Sequence, residues 1–229
     1  MQLLNTLKKK HSDLPFHNKI SLSDPKFLKF NGSFQVIHID VEIDSCILIL
    51  AQSQEQLSTL TIEDKNDGVF IHSKGTVINQ NIKPIGFFKK LKFLFSNNSN
   101  NVLTTNNGPI IYVCTPKLPY TKIIGSCLFE AKNIKQDDLQ IDLFGSGQLD
   151  LGGRVLNFRT VLDGSGLIDG KKLFSQNINV KLDGSGYIDV RANHSADVEL
   201  SGSGLITISD KPSRTSFKKS GSGLINCKK

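Results

Sequence analysis

Residues Leu162 to Gly170 read Leu-Asp-Gly-Ser-Gly-Leu-Ile-Asp-Gly, and Leu182 to Val190 read Leu-Asp-Gly-Ser-Gly-Tyr-Ile-Asp-Val. The same core recurs through the second half of the chain. Gly-Ser pairs begin at Gly125, Gly145, Gly164, Gly184, Gly202 and Gly221, at intervals of 20, 19, 20, 18 and 19 residues. A fixed period near twenty is the signature of a repeat architecture. The first pair, Gly125-Ser126, continues as Cys127. The others continue as Gly-Ser-Gly: Gly145-Ser146-Gly147, Gly164-Ser165-Gly166, Gly184-Ser185-Gly186, Gly202-Ser203-Gly204 and Gly221-Ser222-Gly223.

The flanks repeat too. Ile141 and Leu143, Thr160 and Leu162, Val180 and Leu182, and Val198 and Leu200 precede successive turns. Leu149 and Leu151, Ile168 and Gly170, Ile188 and Val190, and Ile206 and Ile208 follow them. Alternation of this kind is strand periodicity. Each unit therefore reads as strand, tight glycine bend, strand and a return, with Arg154 to Asn157 and Lys171 to Asn177 as examples of the return. One unit cannot cover its own apolar face. Stacked about 4.8 Å apart, the units merge their faces into one core. The expected fold is all-β: a right-handed parallel β-helix or β-solenoid with Gly-Ser-Gly turns along one edge. An antiparallel meander with the same turns is the structural rival.

Working outward, residues 121–229 hold the repeats and 28–120 hold strands of another kind. Residues 34–44 alternate cleanly. Lys65-Asn66-Asp67-Gly68 reads as a hairpin turn between residues 57–64 and 69–73. Gln52 to Gln56 can make one helical turn. Residues 96–107 are Asn-rich and read as an inserted surface loop. Phe87 to Phe95 mixes aromatic residues with Lys89, Lys90 and Lys92, and is expected to cover an end of the core. The expected domain organisation is an N-terminal extension over 1–27 and a single domain over 28–229.

With a Phe30-Asn31-Gly32 opening, an alternating strand, a hairpin, a strand ending in Pro116-Lys117-Leu118 and then the Leu-x-Gly-Ser-Gly-x-Ile-Asp repeats, the chain resembles the auto-transporter adhesin head, or GIN, domain family. The resemblance runs over about residues 28–229 and implies a β-helix-like fold and an adhesin-like role. It brings no catalytic residues with it.

Composition narrows the remaining classes. The chain of 229 residues carries a formal net charge of +7, with no Trp and one Met. The basic residues gather near the termini and in the 87–95 segment, where they read as solvated charge; no nucleic-acid partner is expected. Lys8 to Lys10 follow a short apolar start instead of preceding a long one, and no run approaches a membrane span. A cytoplasmic location is expected. Cys46, Cys114, Cys127 and Cys227 lack metal-ligand spacing, and three of them sit in apolar strand-like runs and read as small core residues.

Candidate chemistry is sparse. Asp150, Asp169 and Asp189 recur after the turns and Asp163 and Asp183 before them, which implies carboxylate columns. A solvated ladder is the expected form, with neither metal nor cofactor bound. Gly164-Ser165-Gly166 followed by Gly170 misses the dinucleotide spacing and precedes no helix. Six equivalent serines cannot each be a nucleophile. The chain is therefore expected to be non-catalytic, a structural or binding module for a protein or polysaccharide. The alternative is a carbohydrate-active β-helix enzyme using the repeat-position carboxylates. Lys218, Lys219, Lys228 and Lys229 flank the last repeat, and lysines on a strand edge oppose self-pairing, so a monomer is expected.

Overall fold

Glycine repeats and alternating strands build a coil. A computed structural model describes residue 7 and residues 14–41, 45–65, 68–73 and 108–228. Among these, β8 (Tyr120–Gly125), β9 (Leu128–Gly145), β10 (Gln148–Gly164), β11 (Leu167–Gly184), β12 (Tyr187–Gly202), β13 (Leu205–Ser209), β14 (Arg214–Ser220) and β15 (Leu224–Cys227) wind as successive rungs. All pairings among them are parallel, which excludes the meander. The molecule is a β-solenoid of about 5 turns.

Register places each turn glycine on the last: Gly125 on Gly145, Gly145 on Gly164, Gly164 on Gly184, and Gly184 on Gly202. The turns are themselves part of the ladder. Ser165 N donates to Gly145 O and Ser185 N to Gly164 O, each at 3.1 Å. Gly164 has φ +124°, and a Cβ there would sit 2.6 Å from Gly145 O. The first glycine of the turn is thus required twice, by its backbone angle and by the carbonyl packed against it. Of the outward-facing turn serines, Ser203 and Ser222 have hydroxyls 3.1 Å apart.

Inside, the alternating positions stack as predicted. Phe129, Leu149, Ile168, Ile188 and Ile206 form one buried column, and Leu143, Leu162, Leu182 and Leu200 another. The return segments differ from expectation. Arg154 to Asn157 and Lys171 to Asn177 lie within continuous strands of 17 and 18 residues. Register shifts bend the strand there, and Gly153 at φ +130° marks one bend.

The column continues upstream. β2 (Phe27–Gly32) pairs with β8 and places Gly32 on Gly125, while β3 (Gln35–Ile39) pairs with the start of β9. Asn31-Gly32-Ser33 is therefore another turn of the same edge. On the far side of this rung lie β6 (Gly68–Ser73) on β2 and β7 (Ile110–Cys114) on β3. The coil then stops being parallel. β4 (Cys46–Ala51) runs antiparallel on β7, and β5 (Leu60–Lys65) antiparallel on β6. Between β4 and β5, α1 (Gln54–Ser58) makes one turn, capped by Ser53 Oγ accepting from Gln56 N. The β5–β6 hairpin is the one expected; its tip, residues 66–67, lies outside the described residues, as do the 87–95 segment and the Asn-rich 96–107 segment.

The N-terminal segment is built into this cap. β1 (Phe16–Ser21) pairs antiparallel with β4. Leu7 and Leu14 join Cys46, Leu48, Leu50, Tyr112 and Cys114 in a second apolar cluster on the outer face of the sheet. The described residues before β2 thus contribute a strand and the core side chains Leu7 and Leu14. The cause lies in β4, Cys-Ile-Leu-Ile-Leu-Ala, which is apolar on both faces and buries both.

At the other end, β14 is exposed throughout. Lys219 continues the column of Leu182 and Leu200, and its ammonium donates to Gly223 O at 3.1 Å. An inward-directed charge is one of the devices that keep a sheet edge from pairing.

Candidate functional site

The carboxylates that recur after the turn do form a column. Asp150 pairs with Asp169, Asp169 with Asp189, and Asp189 with Thr207. Glu130 pairs with Asp150 and extends it. Glu130 stands at the same distance from Gly125 as Asp150 does from Gly145, a signal present in the repeat.

The column after the turn is solvated only in part: Asp169 and Glu130 are half-buried, and two of its carboxylates are buried. Asp150 is 5% exposed and Asp189 0%. Long side chains cover it. Lys132 Nζ lies 2.5 Å from Glu130 and 3.9 Å from Asp150; Lys171 Nζ lies 2.9 Å from Asp189. Tyr187 Oη donates to Asp189 Oδ2 at 2.6 Å, and Lys171 N donates to Asp169 Oδ1 at 3.2 Å. Burial holds the Asp150 carboxyl above the usual range; Lys132 opposes this, and Asp169 and Glu130 add to it. Asp169 is raised by burial and by Asp189, against the Lys171 N–H and ammonium. Burial and the bond to Asp189 raise the Tyr187 phenol. Among the described residues no group of three or more His, Cys, Asp or Glu side chains is arranged to hold a metal ion. Asp163 and Asp183, before the turn, pair with each other and are exposed.

A groove lies elsewhere, on the outer face of the strands that precede the turns. It encloses about 670 Å³. Two columns line it. Asp138, Asn157, Asn177 and Ser195 stack in register as one; Gln140, Arg159, Asn179 and Asp197 form the other. In both, each residue keeps a fixed offset from the next turn glycine, seven positions in the first and five in the second. The spacing was therefore legible, although the residue types differ.

The first column is a directed hydrogen-bond chain. Ser195 Oγ donates to Asn177 Oδ1 at 2.7 Å, Asn177 Nδ2 to Asn157 Oδ1 at 2.9 Å, and Asn157 Nδ2 to Asp138 Oδ1 at 2.7 Å. Such chains polarise their members. An asparagine amide has two N–H donors and two acceptor lone pairs. One donor and one lone pair of each are used along the chain, which leaves one donor and one lone pair of each uncommitted within it. In the second column Asn179 Nδ2 donates to Asp197 Oδ2 at 3.3 Å.

One end of the groove is walled by Leu118 and Tyr120. The Gln136 amide clamps Leu118, accepting from its N–H at 2.9 Å and donating to its carbonyl at 3.0 Å. The Tyr120 ring packs on Phe27 with centroids 5.0 Å apart. Its hydroxyl donates to Asp142 Oδ2 at 2.8 Å. Burial and this bond push the phenol up to about 12. Asp142 is itself 4% exposed, and its other oxygen accepts from Val161 N at 3.0 Å. It substitutes for a ladder carbonyl where Thr160 Oγ1 has turned to Ile141 O. Nothing in the repeat pattern marks Asp142, because the residues that follow it in its column are Val161 and Lys181.

No helix among the described residues is long and apolar enough to cross a membrane. No curated protein matches the sequence. The fold is shared with solved structures of low sequence identity. A "putative adhesin" from Bacteroides fragilis is 16% identical, with a TM-score of 0.61, covering 93% of this chain and 96% of its own. A "putative lipid binding protein" from Parabacteroides distasonis is 19% identical, with a TM-score of 0.54 and the same coverage. A "putative adhesin" from the latter organism is 14% identical, with a TM-score of 0.51, again over 93% and 96%. Residues 88–212 match the family described as "Putative auto-transporter adhesin, head GIN domain". That match spans more than half of the sequence and contains most of the turn column, so the chain belongs to the GIN-domain family of adhesin heads.

Proposed function

We propose that the chain is a non-catalytic, adhesin-like contact module whose groove takes a polysaccharide laid along the solenoid axis. The observation that carries this reading is the amide chain from Ser195 to Asp138. It offers acceptors at every rung, about 4.8 Å apart, and an amide N–H beyond the chain at Asn157 and Asn177, on a pre-ordered surface. A hydroxyl-rich polymer can satisfy such a row along its length. Arg159 and Asn179, both exposed, add polar contacts on the second column.

The enzyme alternative is the less supported of the two. The repeat-position carboxylates Asp150, Asp169 and Asp189 stand outside the groove, covered by lysines and Tyr187. In the groove, Asp138 and Asp197 are three rungs apart. At about 4.8 Å per rung that is roughly 14 Å, beyond the ~5–9.5 Å that glycoside hydrolysis uses.

Binding of the full chain to a glycan panel, beside an Arg159→Ala/Asn177→Ala variant, tests the reading. The expected result is retention of one polysaccharide class by the wild type and at least a tenfold loss in the variant, with the unfolding midpoint little changed. Equal retention by both overturns the groove assignment, and release of new reducing ends overturns the non-catalytic reading. A polysaccharide partner also implies display outside the cytosol, against the expectation from the N-terminal sequence. Protease shaving of intact cells separates the two: digestion supports surface display, and protection overturns it.

A further inference from the structure

Cys46 and Cys114 sit directly opposite each other where β4 pairs with β7. Opposed residues of an antiparallel pair have Cα atoms about 4.5 or 5.5 Å apart, depending on the pair type. Both distances fall inside the ~4.4–6.8 Å range that a disulfide spans without backbone movement. Side chains of opposed residues share a face of the sheet. Here that face is the second apolar cluster, where both cysteines pack with Leu48, Leu50 and Tyr112. Both are free thiols in this structure. Cys127 and Cys227 have no such partner: the Cys127 thiol points to Gly32 O, and that of Cys227 to Asp210 O.

The location gives the pair a consequence. β4 is the strand at which the parallel coil ends, and it covers the edge of β7. An uncovered β7 is a row of backbone donors and acceptors that can template another strand. We propose that Cys46 and Cys114 are a disulfide-forming pair and that the closed bond pins the β4 cap to β7.

The chemistry is thiol–disulfide exchange with a low-molecular-weight disulfide such as oxidised glutathione. The Cys46 thiolate, 7% exposed, attacks one glutathione sulfur, forms a mixed disulfide and expels one glutathione thiolate. The Cys114 thiolate then attacks the Cys46 sulfur, forms the intramolecular bond and expels the second. Two protein thiols lose two protons and two electrons, and one glutathione disulfide becomes two thiols. Burial and the neighbouring Cys46 push the Cys114 thiol up to about 12. Its thiolate is therefore scarce in the finished fold, so closure is faster during folding than after it.

Refolding the full chain in a glutathione redox buffer, alkylating remaining thiols and mapping unreduced peptides by mass spectrometry tests this. The expected map links the Cys46 and Cys114 peptides and leaves Cys127 and Cys227 alkylated. The oxidised protein should melt on the order of 10 °C above the reduced one, a shift set by the long loop closed. That shift should vanish in Cys114→Ala and persist in Cys127→Ala/Cys227→Ala. Four alkylated thiols, a glutathione adduct left at Cys46, or links from either residue to Cys127 or Cys227 would each overturn the proposal.

Discussion

Replacing Gly164 with alanine puts the turn column under direct load. Gly164 is central in the array, with Gly145 stacked on one side and Gly184 on the other. Its φ of +124° is closed to residues with a Cβ, and holding such a residue there costs of order 1–3 kcal/mol. The added methyl also meets Gly145 O at 2.6 Å. That oxygen accepts from Ser165 N, so it cannot retreat without lengthening a rung-to-rung bond. Overpacking of this kind adds about 1–3 kcal/mol. The expected loss is about 2–6 kcal/mol, a large part of the stability of an ordinary domain. Gly170→Ala is the control. A Cβ at Gly170 would meet Asp189 O and Val190 Cγ1 at 3.4 Å, an ordinary contact, and φ is not positive there. It should stay within about 1 kcal/mol of the wild type. Urea unfolding of the three proteins reads the difference as a shift in midpoint at similar slope. A Gly164→Ala loss below about 1 kcal/mol, or one equal to that of Gly170→Ala, would refute the reasoning.

Two pH-linked effects follow from buried groups. Because Asp150 has its folded pKa raised, its ionisation weakens the fold as pH rises through that value, so Asp150→Asn should stabilise near neutral pH by up to about 1 kcal/mol. The gain should disappear in acid, below the unfolded carboxyl value of about 3.9; a loss of stability at neutral pH would show that the Lys132 attraction outweighs burial. His38 is the opposite case: burial lowers its pKa, against the Thr115 carbonyl and Asp40. The unfolded chain then takes the proton first, and stability should fall as pH drops below about 6.5, by at most about 1.4 kcal/mol per unit. Denaturant midpoints across that range should lose this slope in His38→Gln, and an unchanged slope would locate it elsewhere.

The parts of the fold legible in sequence are those where one residue type is forced at one offset. Only glycine fits the turn, so its period survives every other change, and alternating apolar residues follow from the inward face. Gly32 was hidden because its rung lies far upstream of Gly125, with the cap and β6–β7 between them in the chain. The second apolar cluster was hidden for a related reason: alternation in residues 34–44 suggests a core face and a wet face, yet Leu7 and Leu14 cover the other side. The spacing of Asp150, Asp169 and Asp189 stacks them in register, but it does not carry their environment. Periodicity gives the face a side chain leaves from, but not which long neighbours fold over it, as Lys132, Lys171 and Tyr187 do. The groove columns carried a constant offset but mixed Asp, Asn and Ser, or Gln, Arg, Asn and Asp, so a search by residue type passes over them.

That mixture has a physical meaning. Along β9 to β12 the residues between the groove columns, Leu139, Phe158, Ile178 and Ala196, point inward and are buried. Alternation therefore assigns coil stability and groove chemistry to different side chains of the same strand. An exposed groove position can change type while the inward column and the turn glycines hold the register. Loss of binding in Arg159→Ala/Asn177→Ala with an unchanged unfolding midpoint would then report contact rather than collapse. Asp142 is the exception at the rim. It is buried, it orients Tyr120, and it caps the Val161 N–H that the ladder leaves open. Removing it strands a buried donor, a penalty of about 1–3 kcal/mol, so it would lower stability and disturb the groove wall together. The groove is thus separable from the coil along its columns and joined to it at the Tyr120 end.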